Sequence, residues 1–155
     1  AVFTNSIRFK RIIESFRETS SKEINLVSDD DRNKINFQRS PELIYGLRNF
    51  VGNAVKFSKS IVEIKIFSNK KFVEIQINDD GPGFPDDIIE KLGEPYIKSK
   101  SSSVISNSGT GLGTFLGKTL LERQSAELSF LNSNNKLGGA LVKINWKVNN
   151  LVSNV

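Results

Sequence analysis

Phe72-Val73-Glu74-Ile75-Gln76-Ile77-Asn78-Asp79-Asp80-Gly81-Pro82-Gly83 runs from a period-two apolar strand into a glycine-bounded loop. The alternation puts Val73, Ile75 and Ile77 on one face and carries Asp79 onto that face too, at the edge of the core. A desolvated carboxylate is costly unless hydrogen-bonded, so Asp79 calls for a donor. The amino group of a flat ligand such as a purine would serve. Gly81 and Gly83 would let the backbone turn sharply and approach such a ligand. Taken alone, the motif reads first as an ordinary Asp-Gly turn after a strand. Its neighbours shift that balance.

Immediately upstream, Ile61 to Phe67 is β-rich and joins Phe72 to Asp79 through Ser68-Asn69-Lys70-Lys71, which predicts a hairpin. Before it, Ser40-Pro41-Glu42 has the order N-cap, first helical position and first-turn acid, so a helix is expected from there to about Phe57. Leu43, Leu47, Phe50, Ala54 and Phe57 form its core stripe, while Asn49, Asn53 and Lys56 line another side. Nearer the start, Phe9, Ile12, Ile13 and Phe16 predict an amphipathic helix over 8–19 after a short extended lead. Two short strands, Glu23 to Val27 and Lys34 to Phe37, flank the turn formers Ser28 to Asn33 and read as another hairpin.

Downstream, Asp86 to Leu92 reads as a short helix stopped by Gly93, and Ser99 to Ser108 as a Ser-rich loop. Gly109-Thr110-Gly111-Leu112-Gly113 then opens a helix carrying Phe115, Leu116, Thr119 and Leu120. Ala126 to Leu131 and Ala140 to Val148 form a last hairpin, with Val142, Ile144 and Trp146 on one face, and the tail after Asn149 reads as frayed. The order predicts a single α/β sandwich over 1–155, its core at about 8–148: a mixed, mainly antiparallel sheet with helices packed on one face.

Composition narrows the chemistry. With 155 residues, 37% hydrophobic and 25% charged, the chain suits one soluble globular domain. It has no apolar run long enough to span a membrane and nothing like a signal peptide, so a cytoplasmic fragment without direct membrane contact is expected. Zero Cys and zero His exclude thiolate and imidazole chemistry, so any metal must be held by oxygen. Zero Met predicts a part excised from a longer polypeptide. The net charge of +5 is scattered rather than gathered into a basic stripe, which argues against nucleic acid as a partner.

Singly, Asn49 and Asn53 read as solvated surface residues. Together, their amide oxygens are neutral hard ligands that could seat a nucleotide-bound Mg²⁺, with Lys56 one turn on to meet a phosphate. The run Gly109 to Gly113 is either a flexible linker into a helix or a phosphate cradle, its bare backbone N–H groups leading to the positive end of a helix dipole. It is no Walker A loop: Gly113 leaves only three residues before Gly117-Lys118-Thr119, where four are needed, and Lys118 reads as a surface residue.

Asn49-Phe50-Val51-Gly52-Asn53-Ala54-Val55-Lys56-Phe57, then Asp79 to Pro85, then Gly109 to Gly113 resemble, in that order, the N box and two glycine boxes of sensor histidine kinases. These belong to the wider ATP-binding superfamily that includes gyrase, Hsp90 and MutL. The resemblance covers about residues 8 to 148 and implies the Bergerat ATP-binding fold. Leu92-Gly93-Glu94-Pro95-Tyr96 and Lys118 to Arg123 are similar to the redox-responsive RegB/PrrB group.

The resemblance implies that Asp79 bonds the adenine amino group in a pocket shaped by Gly81 and Gly83 and flanked by Phe57. It implies that Asn53, helped by Asn49, ligates Mg²⁺, that Lys56 faces phosphate, and that Asn49, Asn53 and Lys56 form the catalytic set. Gly109, Thr110, Gly111, Leu112 and Gly113 would close over the phosphates of ATP at the end of a lid spanning about 84–110. In that lid Tyr96 is the aromatic residue and Lys98 a phosphate contact, unless both are plain mobile loop. Thr114 stands where the family more often has Leu. The phosphate-accepting histidine of the family lies in a separate dimerising helical domain, absent here. The expected function is thus a monomeric catalytic fragment that hands the γ-phosphoryl of ATP to a histidine on that domain, with a response regulator downstream. The alternative is a degenerate kinase, or conformational module, that binds ATP without transfer.

Overall fold

Ser40 opens the longest of the described helices by accepting a hydrogen bond on its hydroxyl from the Leu43 N–H at 3.0 Å, an N-cap worth about 1 kcal/mol. In the computed structural model, which describes residues 6–7, 9–28, 37–38, 40–92 and 112–147, this helix, α2, spans Pro41–Phe57. It is preceded by β1 (Ser6–Ile7), α1 (Phe9–Thr19), β2 (Glu23–Ser28) and β3 (Phe37–Gln38). It is followed by β4 (Ile61–Ser68), β5 (Phe72–Asp79), α3 (Leu112–Arg123), β6 (Glu127–Asn132) and β7 (Ala140–Lys147). Between β5 and α3 the expected helix at Asp86 to Leu92 is only a turn and a 3₁₀ segment, Ile89–Lys91. The lid residues 93–108 lie outside the described residues.

Five strands form one sheet in the order β2-β4-β5-β7-β6, antiparallel except for the parallel pair β2–β4. Its register stacks Ile24 beside Val62, Ile64 beside Ile77, and Ile75 beside Ile144. Period-two alternation turns these side chains to one face, where Val62, Ile64, Val73, Ile75, Ile77, Ile144 and Trp146 are buried. The opposite face carries Glu63, Lys65, Glu74, Gln76 and Lys143, and Lys65 pairs with Glu63 at 3.3 Å. α2 covers the apolar face with Leu43, Leu47, Phe50, Val51 and Ala54, and α1 adds Ile12 and Ile13. Phe57, at the end of the expected stripe, is only half-buried.

Among the described residues the expected hairpin of Glu23 to Val27 with Lys34 to Phe37 is replaced by other pairings, Lys34 to Asn36 lying outside the described residues. β2 lies parallel to β4, and Phe37–Gln38 pairs instead with Ser6–Ile7. Turn-forming residues between two strands favour a hairpin only locally. Beside β4, Ile24 and Leu26 extend the apolar layer under the helices, and that burial outweighs turn chemistry.

The face of α3 also differs from its apolar pattern. Leu116 is 40% exposed, and the helix meets α2 through Gly117 and Leu121. A Cβ on Gly46 of α2 would lie 2.7 Å from Leu121 Cγ, so glycine is what lets the two helices cross closely. Lys118 pairs with Glu122 on the surface at 3.0 Å, as its place outside a phosphate loop requires.

Candidate functional site

β5 ends under the C-terminus of α2, and the contact is made by backbone. A Cβ on Gly81 would stand 2.2 Å from the Phe57 carbonyl oxygen, so the loop after Asp79 reaches α2 only because residue 81 has no side chain. Asp80 ties the same junction. Its Oδ1 accepts the N–H groups of Lys59 (2.7 Å), Ser60 (3.0 Å) and Ile61 (3.2 Å), and its Oδ2 the Ser60 hydroxyl at 2.9 Å. Desolvation opposes ionisation of Asp80, but these donors outweigh it and hold the carboxyl down at about 2. Lys22 completes the junction by donating to the carbonyls of Val55 and Ser58 at the helix end.

Asp79 itself is 4% exposed, on the apolar face as its alternation requires. Its Oδ1 accepts the N–H of Gly81 at 2.8 Å and of Ala140 at 3.3 Å. Among the described residues no donor reaches Oδ2. Burial pushes the Asp79 carboxyl above its ordinary range, against the pull of those two N–H groups. The result is a buried acid with one oxygen anchored and one available, suited to an amino-bearing ligand.

Three supporting residues escape sequence reasoning. Gly139 comes so near that a Cβ there would lie 2.5 Å from Asp79 Oδ1 and 2.2 Å from its carbonyl oxygen; the Gly138-Gly139 pair before β7 was the signal. Asn132, the last residue of β6, accepts the Phe84 N–H at 2.7 Å and donates to the Phe84 carbonyl at 3.0 Å. Gly83, with φ +82°, fits beside it, where a Cβ would be 2.7 Å from Asn132 Oδ1. Asn78 donates to the Ala140 carbonyl at 2.9 Å and accepts from Asn135 at 2.6 Å, joining β5 to the β6–β7 turn.

The second cluster lies where α2 meets the first turn of α3. Asn53 Nδ2 donates to Asn49 Oδ1 at 3.4 Å and to Thr114 Oγ1 at 3.5 Å. A Cβ on Gly113 would be 3.3 Å from Asn49 Oδ1, so the first described turn of α3, the end toward which the helix dipole is positive, abuts the asparagine pair. Lys56 is exposed one turn beyond Asn53, its ammonium 5.6 Å from the centre of the Phe57 ring. Among the described residues no group of three His, Cys, Asp or Glu could hold a metal by itself. Of the other expected site residues, Leu112 begins α3, while Tyr96, Lys98, Gly109, Thr110 and Gly111 lie outside the described residues.

Comparison with known proteins bears on this arrangement. Residues 38–150 match the family described as histidine kinase-, DNA gyrase B-, and HSP90-like ATPase. The sensor histidine kinase RegB of Cereibacter sphaeroides is 38% identical over 137 residues, 79% of this chain and 29% of that protein. The sensor protein KdpD of Clostridium acetobutylicum is 33% identical over 99 residues, 63% of this chain and 11% of that protein. The chain thus spans less than a third of the length of either relative. The mycobacterial sensor histidine kinase MprB has a similar fold, with a TM-score of 0.71 and 21% identity over 89% of this chain and 91% of that one. The ATP binding domain of PrrB from Mycobacterium tuberculosis gives 0.62 and 23% over 86% and 85%. No helix among the described residues is long and apolar enough to cross a membrane. Sequence and fold agree: the chain belongs to the histidine kinase-, DNA gyrase B-, and HSP90-like ATPase family, as an ATP-binding catalytic domain of the sensor histidine kinase kind.

Proposed function

We propose that the chain binds ATP with the adenine amino group on Asp79 and transfers the γ-phosphoryl to a histidine on a separate dimerisation domain. The observation that carries this is the buried, doubly anchored Asp79 at the edge of the core, whose Oδ2 meets no donor among the described residues. Gly81, Gly83 and Phe57 would wall the purine pocket, and the start of α3, with Gly109 to Gly113 and Lys56, would meet the phosphates.

The asparagine pair fits Mg²⁺ by donor chemistry: two neutral oxygens, of which Asn53 Oδ1 has no partner among the described residues, suit an ion that shares phosphate oxygens. Bound there, the ion would neutralise charge on the phosphates; the chain's part is to position them. Residues 84–110, with Tyr96 and Lys98, would supply the lid. A response regulator would receive the phosphoryl group next.

Calorimetric titration of Asp79→Asn tests the pocket. Loss of ATP binding by a folded variant is expected, and unchanged affinity would overturn the assignment.

A further inference from the structure

We propose that Thr114 is a positioning residue whose hydroxyl couples the phosphate side of the site to the orientation of the Asn53 carboxamide. This rests on the proposed function, because it concerns the same metal and nucleotide.

A carboxamide has a donor end and an acceptor end, and rotation about its last bond exchanges them at little cost unless neighbours discriminate. At Asn53 the donor end is engaged twice, by Asn49 Oδ1 at 3.4 Å and Thr114 Oγ1 at 3.5 Å. The acceptor end is thereby turned away from both, which is the orientation a cation requires. Both contacts sit at the long end of hydrogen-bonding range, so on their own they hold the amide loosely.

A hydroxyl both donates and accepts, so Thr114 by itself does not choose between the two amide orientations. An anion does choose. Thr114 lies in the first described turn of α3, at the end toward which the helix dipole is positive. A phosphate oxygen there would accept the hydrogen bond of the Thr114 hydroxyl and leave that hydroxyl only its lone pairs to offer Asn53. The Asn53 NH₂ must then face Thr114, and its Oδ1 must face the metal. Charge-assisted bonds are the shorter and stronger ones, so the relay tightens as phosphate arrives. Gly113 permits this by bringing the backbone of α3 against Asn49, where a Cβ would be 3.3 Å from Oδ1. A residue without a hydroxyl at 114 would bind the same ligands but couple them more weakly.

The readout is therefore a coupling: the ratio of ATP dissociation constants measured calorimetrically in excess EDTA and in excess MgCl₂. Thr114→Val keeps the shape and removes the hydroxyl, and Thr114→Ser keeps the hydroxyl and removes the methyl. In Thr114→Val the ratio should fall by roughly tenfold, the low end for groups that orient a metal ligand; in Thr114→Ser most of it should return. If the parent chain couples Mg²⁺ to ATP and Thr114→Val does so equally, the relay is refuted while the metal site stands. Equal loss in both variants also refutes it, since the hydroxyl would then not be the determinant. If the parent chain binds ATP with no response to Mg²⁺, the metal reading falls and the relay with it.

Discussion

Asn132 satisfies both polar groups of one residue in the pocket loop, accepting the Phe84 N–H at 2.7 Å and donating to the Phe84 carbonyl at 3.0 Å. It does so across 48 residues of sequence, and Phe130, two residues before it, meets Phe84 edge-on with ring centres 6.0 Å apart.

That clasp predicts a non-additive pair of variants. Gly83→Ala places a methyl against Asn132 Oδ1 at a φ of +82° that L residues rarely adopt, and should destabilise by about 1–3 kcal/mol. Asn132→Ala removes two hydrogen bonds at an exposed position and should cost about 1–2 kcal/mol. In the double variant the steric part of the Gly83 penalty disappears. Urea denaturation of the four proteins should therefore give a total smaller than the sum of the singles.

The neighbouring acids should have opposite effects on stability against pH. Asp79 has a folded pKa raised above 3.8, so its favourable contribution is complete below that value and is lost as pH rises through the raised pKa. Asp79→Asn should then melt at or above the parent temperature at pH 7, and the difference should shrink toward pH 3. Asp80 is depressed to about 2, so its contribution is present above 3.8 and lost as pH falls through about 2. Asp80→Asn should be the less stable variant at pH 7 and converge with the parent in strong acid. Thermal melts of the three proteins across pH check both signs.

Gly46 should resist substitution even by the best helix former. In an exposed helix Gly→Ala gains about 1 kcal/mol, but here the new Cβ would lie 2.7 Å from Leu121 Cγ and 3.2 Å from the Gly117 carbonyl oxygen. Overpacking of about 1–3 kcal/mol should win. Any relief by separation of α2 and α3 would carry Asn53 away from Thr114. Denaturation should show the loss, and nucleotide titration with Mg²⁺ a weaker response.

Asn49 sets an expectation for chemistry. A neutral amide cannot take a proton from water at pH 7, and the chain has no histidine. The isolated chain should bind MgATP yet turn it over only slowly, until it is joined to a histidine-bearing dimerisation domain. Radiolabel transfer to such a domain is the measurement; rapid hydrolysis by the chain alone would contradict the proposal.

What the sequence determined by itself is what period and capping report. Alternation of Val73, Ile75 and Ile77 carried Asp79 to the buried face, and Ser40-Pro41 started α2 where the structure starts it. Both follow from the neighbours of each residue along the chain, so both are legible in order of residues. The rest depended on partners far away in sequence. β2 lies parallel beside β4, a partner its own sequence does not announce, because burial of Ile24 and Leu26 is decided by the whole apolar layer. The second anchor of Asp79 comes from Ala140, 61 residues on, and Thr114 meets Asn53 across the same separation. Neither contact has a local pattern to betray it: each exists because sheet register and the glycine-permitted crossing of α2 and α3 bring two unrelated stretches within hydrogen-bonding distance.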